Sequence, residues 1–387
     1  MIRKTIAFLI FATLSAVVAA QPFTPETFKR ADNGKGLLCR YQGKDILLVA
    51  GTPEEMGLAH GSLLRPKVKE VHDRILLVAA GYLINKNDWF FTRIQEVMKR
   101  NAPYLPKQYL AECDAIARGA GLPERAVREI NFFPEMFHCS GIAVRGKASG
   151  GEVVHARVLD YMRDIRLQDA AVLIVYMPDR GNDWVSVSYA GLAGTVTAMN
   201  EHGLAMGEMG GSGYGKWDGL PMTFMMRRVM EECSTVAEAL ELMKSVPLTC
   251  DYYYVLSDRN GDMAGVSAIA GKPLVALRPG EQNPKLPPVP EDTVYISGGS
   301  RAKVLSERLR ENFGHIDAQK MIEIIKRPVA MKSNLHNAVF LPKSGDLYFA
   351  DAGRKTSACD EPYVKVNLGE MIKFFKANAA SSPPLSK

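Results

Sequence analysis

The stretch CSGIAVRGKASGGEVVHARVLD, from Cys139 to Asp160, decides the fold. Gly141-Ile-Ala-Val-Arg145 and Val153-Val-His-Ala-Arg-Val-Leu159 are rich in strand formers, and Ser149-Gly-Gly151 between them supplies a turn. Together they read as a β-hairpin. A hairpin brings the end of its second strand back beside the start of its first, so Cys139 becomes a neighbour of the Arg157–Asp160 segment. Residues three apart on a regular strand face opposite sides. Arg157 and Asp160 therefore both reach Cys139 only if the strand bends or ends near Leu159. An aspartate beside an arginine is held below its ordinary pKa and stays ionised, and a nearby guanidinium favours a thiolate.

Outward from this hairpin the texture of the chain changes. Residues 21–50 read as a strand or two. Thr52-Pro-Glu-Glu55 then forms a capping box with proline at the first helical position. Helix-period spacing follows over 53–120, divided by Pro103, Pro106 and Gly119, and Ala126–Phe133 reads as one more short helix. Downstream, Ala171–Tyr176, Trp184–Tyr189, the pair joined at Asn200-Glu-His-Gly203, the pair around Asp258-Arg-Asn-Gly261 and the pair around Lys343-Ser-Gly-Asp346 read as strands and hairpins. Helices are expected over Met222–Met230, Val236–Met243, Lys303–Asn312 and Ala318–Lys326. Dominance of hairpins points to antiparallel sheets with helices on their outer faces, an α+β fold.

Composition sets the bounds. The chain has 387 residues, of which 47% are hydrophobic and 23% charged, the balance of an ordinary globular protein rather than a disordered or multi-span one. Its formal charge of +6 is spread along the chain without a basic run, which disfavours a nucleic-acid partner. Arg3 and Lys4 precede the apolar run 5–20, which ends in Val18-Ala-Ala20. This reads as a cleavable export signal cut after Ala20, leaving no stable membrane anchor and a secreted or periplasmic protein. Six cysteines, an even count in an exported chain, suggest disulfides. Their spacing contains no Cys-x-x-Cys, so a zinc ribbon is not supported and no metal or other cofactor is expected. No His-Glu-x-x-His, Gly-x-Ser-x-Gly, phosphate-loop or dinucleotide glycine motif is present. Those absences leave Cys139 as the nucleophile to consider.

The run Cys139-Ser-Gly-Ile-Ala-Val with His155-Ala-Arg157-Val-Leu-Asp160-Tyr resembles the choloylglycine hydrolase and penicillin acyltransferase branch of N-terminal-nucleophile hydrolases (peptidase family C45). Gly51-Thr-Pro-Glu-Glu-Met-Gly-Leu-Ala-His-Gly61 is similar to that family's pro-segment. Gly191-Leu-Ala-Gly-Thr195, Met199-Asn-Glu-His-Gly-Leu204 and Gly207-Glu-Met-Gly-Gly211 are similar to its central sheet. The resemblance implies a four-layer αββα sandwich of two antiparallel sheets. It divides the chain into a mainly helical pro-segment or small subunit over 21–138, a core over 139–375 and a flexible tail over 376–387. It also implies self-cleavage between His138 and Cys139, after which the new α-amine of Cys139 serves as base for its own thiol. Asp160 would orient that amine and Arg157 would stabilise the charge at the site.

For the oxyanion, the backbone amides of Gly210 and Gly211 and the side chain of Asn337 are the alternatives, with Glu208 and Arg301 as further site residues. Relatives often carry an asparagine in the strand before the helix start matched here by Ser300-Arg301. This chain has Val294-Tyr-Ile-Ser-Gly-Gly299 there, so Asn334 and Asn337 stand as substitutes. His155 and the Asn200–Gly203 turn read as structural, while His336 reads equally as strand-end bonding or site. The implied activity is hydrolysis, or transfer, of the acyl group of a small linear amide or N-acyl compound. Two other readings are a lipid acyl hydrolase resembling phospholipase B-like proteins, and a non-catalytic extracytoplasmic binding protein with Cys139 in a disulfide.

Overall fold

Thr52 caps the first helix as its sequence requires: its side chain accepts from the Glu55 amide, and Glu55 reaches back to the Thr52 amide at 2.8 Å. The computed structural model describes residues 21–86, 90–132, 139–161, 163–212 and 215–379. The expected export signal, His138 of the expected cleavage junction and the end of the tail lie outside the described residues.

Strands β1 (Thr27–Arg30), β2 (Gly36–Tyr41) and β3 (Lys44–Gly51) lead into five helices. These are α1 (Pro53–Leu63), α2 (Arg65–Lys86), α3 (Phe90–Asn101), α4 (Lys107–Ala120) and α5 (Glu124–Phe132). The hairpin that decides the fold is β4 (Ser140–Val144) and β5 (Val154–Asp160), with the single turn α6 (Gly146–Ser149) between them. Next come β6 (Ala171–Pro178), β7 (Trp184–Tyr189), β8 (Thr197–Asn200), β9 (Ala205–Gly210), α7 (Met222–Glu232) and α8 (Val236–Ser245). Then follow β10 (Asp251–Ser257), β11 (Met263–Ile269), β12 (Val275–Leu277), β13 (Thr293–Ile296), α9 (Gly299–Glu311) and α10 (Ala318–Ile324). The chain closes with β14 (Asn334–Leu341), β15 (Asp346–Asp351), β16 (Val364–Asn367) and α11 (Leu368–Ala379).

The strands form two sheets, in the orders β1-β2-β3-β6-β7-β8-β9-β10-β11-β12 and β13-β4-β5-β14-β15-β16. Alternating side chains decide which layer each face meets. Ile46, Leu48, Leu173 and Val175 of the larger sheet pack on Ala338, Phe340, Leu347 and Phe349 of the smaller, and α11 closes one end of that interior. The other face of the smaller sheet, with Ile142, Val144 and Val158, is covered by α9 and α10. The other face of the larger sheet, with Val49, Ile174 and Tyr176, is covered by the N-terminal helices and α7. The result is the α/β/β/α layering of an α+β fold.

Three features differ from the sequence expectation. First, the larger sheet is not wholly antiparallel, because β3 runs parallel to β6 from Ile46↔Leu173 to Gly51↔Pro178. The segment before Cys139 thus supplies three strands to this sheet as well as helices. Second, Gly119 does not divide helices. It lies within α4, where an added Cβ would stand 2.6 Å from the Leu58 carbonyl of α1, so it permits two helix backbones to touch. Third, all six cysteines are buried and free, which corrects the expected disulfides. The core is large enough to need no such staple. Among the described residues no helix is long and apolar enough to cross a membrane.

One buried ionic cluster fastens the early helices to the later chain. Arg227 of α7 donates to Glu112 of α4 at 2.7 Å, to Glu231 at 2.8 Å and to the Ala193 carbonyl at 2.8 Å. Its guanidinium lies 4.5 Å from the centre of the Tyr109 ring and 5.2 Å from that of Tyr176. Removing the cation would leave two buried carboxylates facing each other. Arg227→Met is expected to destabilise the chain by about 3–5 kcal/mol, measured by urea unfolding of the uncut Cys139→Ala background.

Candidate active site

Cys139 precedes the first residue of β4, and the pairing of Ser140 with Val158 sets it beside Leu159 on the returning strand. That strand ends at Asp160. Opposite it, β14 shifts register between Asn334 and His336, so Leu335 is an extra residue and the ladder bends there. The irregularity lies in β14, and it does not turn Arg157 and Asp160 to the same face. Arg157 turns into the space between the sheets and Asp160 turns the other way.

Arg157 is fully buried. Its side chain crosses the inter-sheet gap over Gly207, where an added Cβ would stand 2.5 Å from the arginine Cδ. Glycine at 207 is therefore a condition for this placement. The guanidinium donates to Glu208 at 3.2 Å and to the Val158 carbonyl, and its charge acts on the Cys139 thiol. Its carboxylate partner is thus Glu208 rather than Asp160. Asp160 instead accepts from Arg301 of α9 at 2.5 Å and from the Met331 amide at 2.9 Å. Arg301, expected at the oxyanion or substrate, is engaged with Asp160. The direction of the Asp160 pKa also differs from expectation: burial raises it, against the pull of the Met331 amide, Arg301 and Arg157.

Cys139 is itself nearly buried, at 6% exposure. Burial pushes its thiol up to about 11, with Arg157 pulling down and Glu208 and Asp160 pushing up. In the uncut chain the sulfur is therefore a neutral thiol near pH 7, and a base is needed to activate it. It opens on a cavity of about 60 Å³. Val71 and Ile75 of α2, Ile130 of α5, Leu159, Leu167, Leu192 and Val196 make the walls apolar, and Tyr161, Tyr189 and Glu208 add the polar groups. Part of this wall comes from the segment that precedes Cys139.

That segment also shapes the loop carrying Leu192. Asn131 of α5 accepts from the Ala193 and Gly194 amides at 2.7 and 3.1 Å and donates to the Gly191 carbonyl at 2.9 Å. His60 of α1 accepts from the Gly191 amide at 2.9 Å. Nothing in the sequence around Asn131 announces this role, since its partners lie about sixty residues downstream.

The remaining expected site residues are dispersed. Asn337 donates to the Tyr363 hydroxyl at 2.8 Å and accepts from Asn334 at 2.8 Å, so its side chain is bound away from Cys139. Gly210 and Gly211 do not line the cavity. They carry β9 onward against β10, with Gly210 paired to Tyr252 and Gly211 packed on the Asp251 carbonyl. His155 bonds Ser257 at 2.9 Å between the sheets, as a structural strand residue does. The Asn200–Gly203 turn is held by the Asn200 side chain, which accepts from the His202 and Leu204 amides, with Gly203 at φ +77°. Among the described residues no group of acidic, histidine or cysteine side chains is arranged to hold a metal ion.

With this geometry in place, comparison with known proteins locates the chain. A family model described as acyl-coenzyme A:6-aminopenicillanic acid acyl-transferase matches residues 154–283. The chain resembles that family over about its central third. The match holds Arg157, Asp160 and Glu208, while Cys139, Arg301 and Asn337 lie outside it. Protein dcd1B of Dictyostelium discoideum is 23% identical over 341 residues, covering 79% of this chain and 68% of its own length. Among solved structures, the Caenorhabditis elegans N-acylethanolamine-hydrolyzing acid amidase ortholog aligns at TM-score 0.44 and 17% identity, over 53% of this chain and 93% of its own. A conjugated bile acid hydrolase mutant from Clostridium perfringens aligns at TM-score 0.41 and 12% identity, over 60% of this chain and 93% of its own.

Because the Cys139 thiol is raised, its alkylation by iodoacetamide in the uncut chain should rise about tenfold per pH unit from pH 7 towards 10, as the thiolate fraction grows. Arg157→Met, by removing the group that lowers this pKa, should slow labelling at each pH. Mass analysis of the Cys139 peptide from the uncut band checks both.

Proposed function

We propose that the chain is an exported, self-cleaving cysteine hydrolase that removes the acyl group of a linear amide or N-acyl compound through a thioester on Cys139. The observation that carries this reading is the conjunction at one small apolar cavity of a free thiol, a buried arginine whose charge acts on it and a carboxylate that bonds the arginine. The acyltransferase-family match over 154–283 supports the same reaction class.

Breaking the His138–Cys139 bond frees the α-amine of Cys139. Such an amine has a pKa of about 8, so near neutral pH it can take the proton of the thiol it adjoins. This supplies what the raised thiol lacks. The thiolate attacks the acyl carbon, charge develops on the carbonyl oxygen, and collapse expels the amine, which leaves with the proton held by the α-amine. Water then attacks the thioester by the same route and releases the acid. Asp160, fixed by Arg301 and the Met331 amide, would hold the new ammonium by its charge. Arg157 balances the thiolate, and Glu208 in turn holds Arg157 in the gap. Acyl transfer to an amine differs only in the final acceptor. The free Cys139 thiol speaks against the binding-protein reading in which that sulfur is tied in a disulfide.

Purified mature protein should run on a denaturing gel as two pieces, 21–138 and 139–387, and Cys139→Ala as one. Asp160→Asn should slow both self-cleavage and turnover by about a hundredfold or more. An uncut wild type that still hydrolyses N-acyl substrates would exclude the amine as base. Hydrolysis of esters without amides would favour the lipid acyl hydrolase.

A further inference from the structure

The reaction above needs a hydrogen-bond donor for the oxygen of the attacked carbonyl, and neither Asn337 nor Gly210 and Gly211 stands at the cavity. Of the two phenols that line it, Tyr161 and Tyr189, the second is joined to a buried relay. The Tyr189 hydroxyl lies 2.8 Å from His336 Nδ1, and His336 Nε2 lies 2.8 Å from the Thr197 hydroxyl. The tyrosine and imidazole rings are stacked, with centroids 5.8 Å apart and planes at 23°. Burial, helped by Arg157, holds His336 well below its ordinary pKa, so the ring is neutral and carries one proton. Burial likewise keeps the Tyr189 phenol protonated.

Three groups thus share three protons, and two arrangements satisfy the two contacts. In one, Tyr189 donates to Nδ1 and Nε2–H donates to Thr197. The Thr197 hydroxyl is fully buried and has no other acceptor among the described residues, so its proton would be stranded. In the other, Thr197 donates to Nε2, Nδ1–H donates to the Tyr189 oxygen, and the phenolic proton is freed. The Thr197 and His336 donors are then satisfied, and the one free proton belongs to Tyr189, the member of the relay that lines the cavity.

We infer that Tyr189 is a catalytic hydrogen-bond donor whose phenolic proton meets the acyl oxygen of substrate bound in the Cys139 cavity, directed there by Thr197 through His336. Thr197 and His336 are positioning residues. No proton changes owner in this role: the phenol donates a hydrogen bond to the oxygen as negative charge develops on it, and withdraws as the carbonyl re-forms. The inference rests on the thioester reading for its substrate, while the relay itself does not depend on it.

Two measurements test it. Nitrogen-15 spectra of histidine-labelled Cys139→Ala protein, with the His336 signals assigned by His336→Gln, should show the proton on Nδ1 and an acceptor-type Nε2. A proton on Nε2 overturns the relay whatever the activity. In the cut enzyme, Tyr189→Phe should lower kcat for an N-acyl amide on the order of a hundredfold with KM nearly unchanged. Thr197→Val, which removes the donor that holds the His336 tautomer, should lower kcat about tenfold. If Tyr189→Phe loses melting temperature but keeps kcat per folded molecule, the tyrosine is structural and the inference fails. If wild type cleaves no amide or ester, the proposed function fails instead, and the spectra still decide the relay.

Discussion

A fully buried guanidinium between two sheets is the constraint around which this molecule is arranged. A charge removed from water is tolerated only when other groups satisfy it. Arg157 therefore requires Glu208 and the Val158 carbonyl to converge on it. It also requires Gly207 opposite, because any larger residue would occupy the path of its side chain. The sheets and the carboxylate are held in one relation by this single demand. The same low-dielectric setting raises the thiol.

The second organising fact is that the chain before Cys139 is built into the fold on both sides of the larger sheet's ladder. β3 runs along β6, Arg227 binds Glu112 across the helix layer, and Asn131 and His60 set the loop that carries Leu192. Val71, Ile75 and Ile130 complete the cavity. A peptide bond broken in front of Cys139 would sever none of these contacts. The early helices thus belong to the pocket as much as to any precursor form.

Much of the layering was legible in the chain. Hairpins at 139–160, 197–210, 251–269 and 334–351 announced themselves through strand formers separated by turn residues, and Thr52-Pro-Glu-Glu55 marked a helix start, because these are local signals. The nearness of Cys139 and Arg157 was also readable, from their places on one hairpin. Partner choice was not. Asp160 binds Arg301 and Arg157 binds Glu208, reversing the pairing that proximity along the strand suggests. Gly119 reads as a breaker in sequence and acts as a contact point between helices.

What the sequence by itself determined is the set of elements and the hairpin that brings Cys139 beside Arg157, since periodicity, capping and turn chemistry act over a few residues. Only the tertiary structure decided that β3 lies parallel to β6, that Asn131 reaches a loop sixty residues away, and that Tyr189, His336 and Thr197 form a line ending at the cavity. These depend on which faces are buried together. Burial is a property of the packed whole, and it is burial that obliges each polar group to find its partner.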